Sequence, residues 1–169
     1  MTISHRHDSY GRFLGRMVET LTEEFNFTIK ASGSTTYRRK LKRRGLEPDD
    51  SFWIASEPLM RGKLELDLEV DPPPDLAIEI DVTRSSLDRL GIYAALRVPE
   101  VWRFDGTTMT VFVLDESGGY REAPTSRVFQ PLNPATLIPF IAMRATMDEN
   151  AVIRELRNWI RQRIADGWK

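Results

Sequence analysis

Residues 76–82, LAIEIDV, form a nearly unbroken apolar run interrupted only by Glu79 and Asp81. Such a run reads as a central strand buried on both faces. The next twenty residues narrow the fold further. Ser85 or Ser86 can cap a helix over about residues 86–97, with Asp88 in its first turn, and Pro99 ends it. Val101–Phe104 then reads as the next strand. Strand, helix and strand at this spacing normally make a right-handed parallel crossover. The chain is therefore expected to build an α/β sheet around this unit.

The remaining pattern supplies the other elements. Tyr10, Phe13, Leu14, Met17, Val18 and Leu21 recur at helical spacing and predict an amphipathic helix over about 9–25, with Asp8 as its N-cap. Residues 1–8 then form a polar, flexible tail. His5 and His7, the chain's two histidines, fall in it and are poor parts for a preorganised site. Phe27–Ile29 can begin a strand, and ASGSTT (Ala31–Thr36) reads as a loop. Pro48 precedes DDSFWI, a short aromatic strand headed by Asp49. Leu64, Leu66, Leu68 and Val70 alternate with Lys63, Glu65, Asp67 and Glu69, the signature of a half-exposed strand. Asp71 and Pro72–Pro74 form a stiff approach to the central strand. Met109–Leu114 and Tyr120–Ala123, joined by DESGG, read as a hairpin, and a helix over about 149–165 closes the chain. The order predicts a mixed α/β sheet in one domain over residues 1–169, with no internal repeat.

Composition excludes several chemistries. Without cysteine there is no disulfide, thiolate zinc site or cysteine nucleophile, and the chain fits a cytoplasmic protein. No apolar stretch approaches the ~18 residues of a membrane span, so no membrane partner is expected. The net charge is only −1, yet Arg38, Arg39, Lys40, Lys42, Arg43 and Arg44 crowd into one run without an acid. A basic run of this kind can meet a nucleic-acid backbone. It can equally be a solvated positive loop.

Carboxylates are the strongest candidates for chemistry. Asp75, Glu79 and Asp81 share one face of the central strand, but Asp75 lies about 13 Å from Glu79 at the usual rise per residue. Mg²⁺ holds oxygen ligands at about 2.0–2.1 Å, so Glu79 needs a partner from another strand. Asp49 is the best offer if its strand runs antiparallel, with Asp81 second. A charged side chain inside an apolar strand is costly unless it is paired or bound to metal. Glu79 is thus either a metal ligand or a carboxylate paired with Arg84 or Arg89. Arg89 and Tyr93, one helical turn apart, can present a cation and a phenol to the same cleft, or Tyr93 can be a core-edge residue. Asp75 is either an auxiliary acid or a strand-entry residue. Glu24, on the apolar side of the first helix, is either a third acid or part of a frayed last turn.

Three segments carry a family resemblance: GLEPDDSFWI (Gly45–Ile54), DPPPDLAIEIDVTRSS (Asp71–Ser86) and IYAALRVPEVWRFDG (Ile92–Gly106). They resemble the Uma-two family of domains of unknown function, placed in the PD-(D/E)XK restriction-endonuclease-like superfamily. The resemblance runs from SGSTTYRR through the terminal helix and is most specific in the middle block. It implies an αβββαβ core with further C-terminal strands and a closing helix. It also implies that Asp49 and Glu79 hold Mg²⁺, with Mn²⁺ as a substitute, for phosphodiester hydrolysis of DNA. The motif's lysine would fall at position 81, which is Asp81. Some branches carry the basic group on the following helix, where this chain has Arg89. Arginine does not deprotonate, but it can clamp phosphate or steady a hydroxide. A nuclease-fold module that binds nucleic acid or a protein partner without cutting is the alternative. A homodimer is compatible with either.

Overall fold

A computed structural model describes residues 5–33, 47–67, 69–82 and 89–168. Helix α1 (His5–Glu24) leads to strand β1 (Lys30–Ala31) and strand β2 (Asp50–Trp53). A short helix α2 (Glu57–Met60) precedes β3 (Leu76–Ile80), followed by α3 (Arg89–Leu96) and β4 (Glu100–Phe104). Strands β5 (Met109–Leu114) and β6 (Tyr120–Ala123), a 3₁₀ turn (Pro134–Leu137) and helices α4 (Ile138–Met143) and α5 (Glu149–Ala165) complete the chain. The strands form one six-stranded sheet in the order β1-β2-β3-β4-β5-β6. Only β3 and β4 pair in parallel; every other pairing is antiparallel. The expected αβββαβ order, extra C-terminal strands and closing helix are all present. Among the described residues, no helix is long and apolar enough to cross a membrane.

The central strand is buried as its composition requires, with all five residues of β3 inaccessible. Alternation sends its side chains into two different cores. Leu76, Ile78 and Ile80 join Phe52, Trp102 and Phe104 beneath α1, α4 and α5. Ala77 joins Trp53, Val101, Tyr93 and Leu96 on the α3 side. Glu79 lies one pleat along from Ala77 and faces that second side. The sheet is thus packed on both faces around its central strand.

Helix α1 starts earlier than the apolar spacing predicts. Residues 5–8 are helical, not a tail, and Asp8 sits in the first turns and does not cap them; residues 1–4 lie outside the described set. Tertiary contacts hold this polar start in place. Tyr10 meets Phe104 edge-on at 5.1 Å, and the Arg6 guanidinium lies over the Tyr10 ring at 5.5 Å. Arg6 also lies against Gly106, whose φ of +100° turns the chain between β4 and β5. Gly15, where a Cβ would run into the Asp50 carboxylate, lets the helix press closely onto β2, whereas a Cβ on Gly11 one turn earlier would only touch Asp49 and Ile80.

The segment from Lys63 to Val70 is not a strand where it is described. Leu64 is fully exposed and Val70 is 79% exposed. Its alternation pairs with no strand of the sheet among the described residues. Asp71 closes it into a turn instead: its carboxylate accepts from the Asp67 N–H at 2.9 Å and from Lys63, while its own N–H donates to the Asp67 carbonyl at 2.7 Å. The prolines after it offer no donors to extend a ladder. The predicted cap at Ser85 or Ser86, and the partner Arg84, lie outside the described residues.

Candidate active site

Strand register builds the centre. Antiparallel pairing of Asp50 with Ile78 places Asp49, one step earlier, opposite Glu79. Asp49 is fastened on both sides of that position. Its N–H donates to the Ile78 carbonyl at 3.1 Å, and its Oδ2 accepts from the Ile80 N–H at 2.6 Å. Glu79 is 4% exposed and is gripped by α3. Arg89 donates to Oε2 at 2.5 Å, and the Tyr93 hydroxyl donates to Oε1. Arg89 and Tyr93, four residues apart, stand one turn apart on the same side of α3 and so reach one carboxylate together.

Burial dominates the electrostatics. Desolvation pushes the Glu79 carboxyl above its ordinary range, partly offset by the Tyr93 hydroxyl and the Arg89 charge, while Asp49 adds a smaller upward push. Asp49 is also raised, first by desolvation and against the Ile80 N–H and His7. The Tyr93 phenol is pushed well up, chiefly by burial and then by the charge of Glu79. The charge of Asp49 thus raises Glu79, but less than removal from water does.

The other sequence candidates do not all converge. Asp81 follows β3 directly, half-buried, with its N–H donating to the Phe104 carbonyl at 2.8 Å. Asp75 lies at the opposite end of the strand. Its Oδ2 accepts from the Ile54 N–H at 2.7 Å, the Ser56 N–H at 2.9 Å and the Ser56 hydroxyl at 2.8 Å, which ties the turn after β2 to the sheet. Glu24 ends α1, about 28 Å of helix rise away from its start at His5. It accepts from Arg157 at 2.8 Å and from Arg161 at 2.7 and 3.0 Å, so it joins α1 to α5. The basic run from Arg38 to Arg44 lies outside the described residues.

Two residues near the acids escape a reading of the sequence. His7 brings Nε2 to 3.3 Å from Asp49 Oδ1, with the two side chains only 21% and 16% exposed. Its signal is the spacing His7, Gly11, Gly15: four-residue steps place them on the one helix face that meets β2 and β3. Asp50 points into the contact with Gly15, and burial raises its carboxyl to about 6. A further buried acid, Glu100, serves the fold. It accepts from Trp102 Nε1 at 2.5 Å and from the Arg127 and Val128 N–H groups at 2.7 and 3.0 Å. Beside the first turns of α1 opens a cleft of about 560 Å³ lined by His5, Arg6, Tyr10, Arg144 and Glu149, among others; neither Asp49 nor Glu79 lines it.

With this geometry, the family model of Uma2, described as "Putative restriction endonuclease", matches residues 1–147 of the 169. The chain belongs to the Uma2 family. A search of curated proteins finds no match. The Uma2 match spans α1, all six strands and α3, so it covers every element that carries Asp49, Glu79, Arg89 and Tyr93. The mixed, mostly antiparallel sheet agrees with a restriction-endonuclease-like fold. Among the described residues, no group of three or more His, Asp or Glu side chains is arranged to hold a metal ion. Glu79 instead turns both oxygens toward α3.

Proposed function

We propose that this Uma2-family chain is a Mg²⁺-dependent endonuclease that hydrolyses DNA phosphodiester bonds, with residues 1–169 as one catalytic domain acting in the cytoplasm. The observation that carries this reading is the pair Asp49 and Glu79, held opposite one another on antiparallel strands with Arg89 alongside. Carboxylate oxygens are the hard donors that Mg²⁺ takes, and the ion is commonly held by only one or two carboxylates with waters completing its shell. Two partly desolvated acids whose pKa values are raised fit such a cation, because its charge relieves both burial and repulsion. When bound, the ion supplies Lewis-acid stabilisation of phosphate charge and a more acidic water.

The chain's own groups do the positioning. The Ile80 N–H fixes one oxygen of Asp49, and Tyr93 fixes one oxygen of Glu79. Arg89 neutralises Glu79 in this structure and can turn its planar fork to a phosphate, which guanidinium groups bind in bidentate fashion. Asp81, at the motif's lysine position, is an auxiliary acid. The basic run from Arg38 to Arg44 would meet the DNA backbone just ahead of Asp49.

The test is cleavage of supercoiled and linear DNA with Mn²⁺ or Mg²⁺ by the full chain and by Glu79→Gln. Wild-type nicking that the variant lacks, with its fold intact by circular dichroism, supports the reading. Equal activity in both, or none in either across DNA forms and metals, overturns it. A second reading, a nuclease-fold module that binds DNA or a protein without cutting, is favoured by the placement of Asp81 where a lysine would assist catalysis. That module would bind DNA yet cut none of it.

A further inference from the structure

We infer that Arg103, on β4, grips a backbone phosphate of the DNA, so that the nucleic acid passes beside Glu79 and on across β4 and β5 on the α3 side of the sheet. This rests on the nuclease reading above and adds the path of the substrate. Strand register carries the placement. Glu79 pairs with Arg103 in the parallel ladder, and Arg103 pairs with Thr110 on β5. Paired residues on neighbouring strands share a face of the sheet, with the strands about 4.8 Å apart. Asp49 stands opposite Glu79 on the β2 side, so one row across the sheet reads Asp49, Glu79, Arg103, Thr110.

The fold leaves the Arg103 charge unmatched. Among the described residues, the other half-buried arginines, Arg16, Arg89, Arg144 and Arg157, each pair with a carboxylate. The Arg103 guanidinium makes no ion pair or hydrogen bond among them; it lies over the Phe112 ring, 4.6 Å from the centroid. Register puts two acids on its face, and neither pairs with it. Glu79 takes Arg89 instead, and Glu122 stands opposite Phe112 on β6. A guanidinium carries five N–H donors that need acceptors from solvent or a ligand. Stacking on Phe112 sets the plane of the fork and leaves its donor edge open, the form in which arginine takes a phosphate in bidentate fashion. Arg89 reaches Glu79 from α3 on the same face, so two cations flank the acids on this side.

The experiment measures binding of a fluorescent DNA duplex by the full chain in EDTA, by anisotropy across a salt series. Arg103→Gln should flatten the slope of log affinity against log salt by about 0.9 and weaken binding roughly five- to tenfold at about 0.1 M salt. Arg103→Lys should keep the slope, because the charge remains, while losing affinity with the fork. Arg121 is exposed on β6 and pairs with Val113, whose side chain enters the opposite core, so Arg121→Gln should bind as wild type does. If Arg103→Gln does not fold, phenylglyoxal modification of the wild type, read by peptide mass spectrometry, decides instead: the duplex should protect Arg103 and leave Arg121 reactive. An unchanged slope in Arg103→Gln, equal modification of Arg103 with and without DNA, or no DNA binding by wild type would overturn the inference. The nuclease reading is scored separately, by Glu79-dependent cleavage. Cleavage alongside an unchanged Arg103 slope sinks this inference alone; an Arg103-dependent slope without cleavage upholds it and leaves a module that binds without cutting.

Discussion

Two glycines on α1 should respond in opposite ways to the same substitution. Gly11 and Gly15 lie one turn apart on the face that meets β2, and alanine favours a helix interior over glycine by about 1 kcal/mol. At Gly11 the new methyl would find ordinary contacts, 3.5 Å from Asp49 Cβ and 3.6 Å from Ile80 Cγ1. Gly11→Ala should therefore stabilise by about 0.5–1 kcal/mol. At Gly15 the methyl would sit well inside contact distance of Asp50 Oδ2, with Asp50 Cγ at 3.4 Å and Phe52 Cζ at 3.7 Å. Asp50 cannot yield freely, because its Oδ1 accepts from the Ser51 N–H at 2.8 Å and Phe52 is fully buried behind it. Overpacking of this kind costs about 1–3 kcal/mol, which outweighs the helix gain. The two variants should thus differ by about 1–3 kcal/mol, or several degrees in Tm at about 2–4 °C per kcal/mol for a chain this size. Urea unfolding near neutral pH reads the gap directly. Because the clash is with one carboxylate, Asp50→Ala should remove most of the Gly15→Ala penalty in a double-mutant cycle. Gly15→Ala as stable as Gly11→Ala, or a penalty untouched by Asp50→Ala, would refute this account of how α1 seats on the sheet.

Arg89→Ala should lower metal-free stability by about 1–3 kcal/mol by stranding the buried Glu79 carboxylate; millimolar Mn²⁺ should then raise its Tm more than that of wild type, and equal shifts would count against competition between Arg89 and the cation. Glu24 is held below the ordinary glutamate range, first by its hydrogen bond from Arg161 and then by that from Arg157 against a desolvation penalty, so its contribution is present above the unfolded value of 4.5 and lost as pH falls through the lowered folded value. Glu24→Gln should therefore be less stable than wild type at neutral pH, with the gap closing in acid; a gap that stays constant by thermal unfolding from pH 6 to pH 3 would contradict the pairing. If the basic run grips a DNA backbone, replacing Arg38, Arg39 and Arg43 with alanine should flatten the slope of log affinity against log salt by roughly 2.7, whereas an unchanged slope would make the run a solvated surface.

The sequence by itself determined the part written in local periodicity. The apolar run of β3, the crossover to β4, the hairpin of β5 and β6 and the closing helix α5 follow from run length, alternation and turn residues, each a short-range property. The parallel pairing of β3 with β4 follows as well, since the connecting helix leaves little other choice. The meeting of Glu79 with Arg89 and Tyr93 was legible for the same reason: a strand end and the helical turn after it are close in the chain. Only the tertiary structure decided the rest. The alternation from Lys63 to Val70 satisfies the strand pattern, yet the hydrogen bonds between Asp67 and Asp71 close it into a turn. Asp75 and Glu24 are polar groups whose partners, Ser56 in one case and Arg157 and Arg161 in the other, are set by the packing of distant segments. The first turns of α1 carry no apolar stripe and become helical because Tyr10 and Arg6 dock on the sheet, and that docking alone brings His7 to Asp49. A charged or polar side chain has no periodicity to reveal its partner; its place is fixed by whichever buried acid or backbone group the fold leaves in need of it.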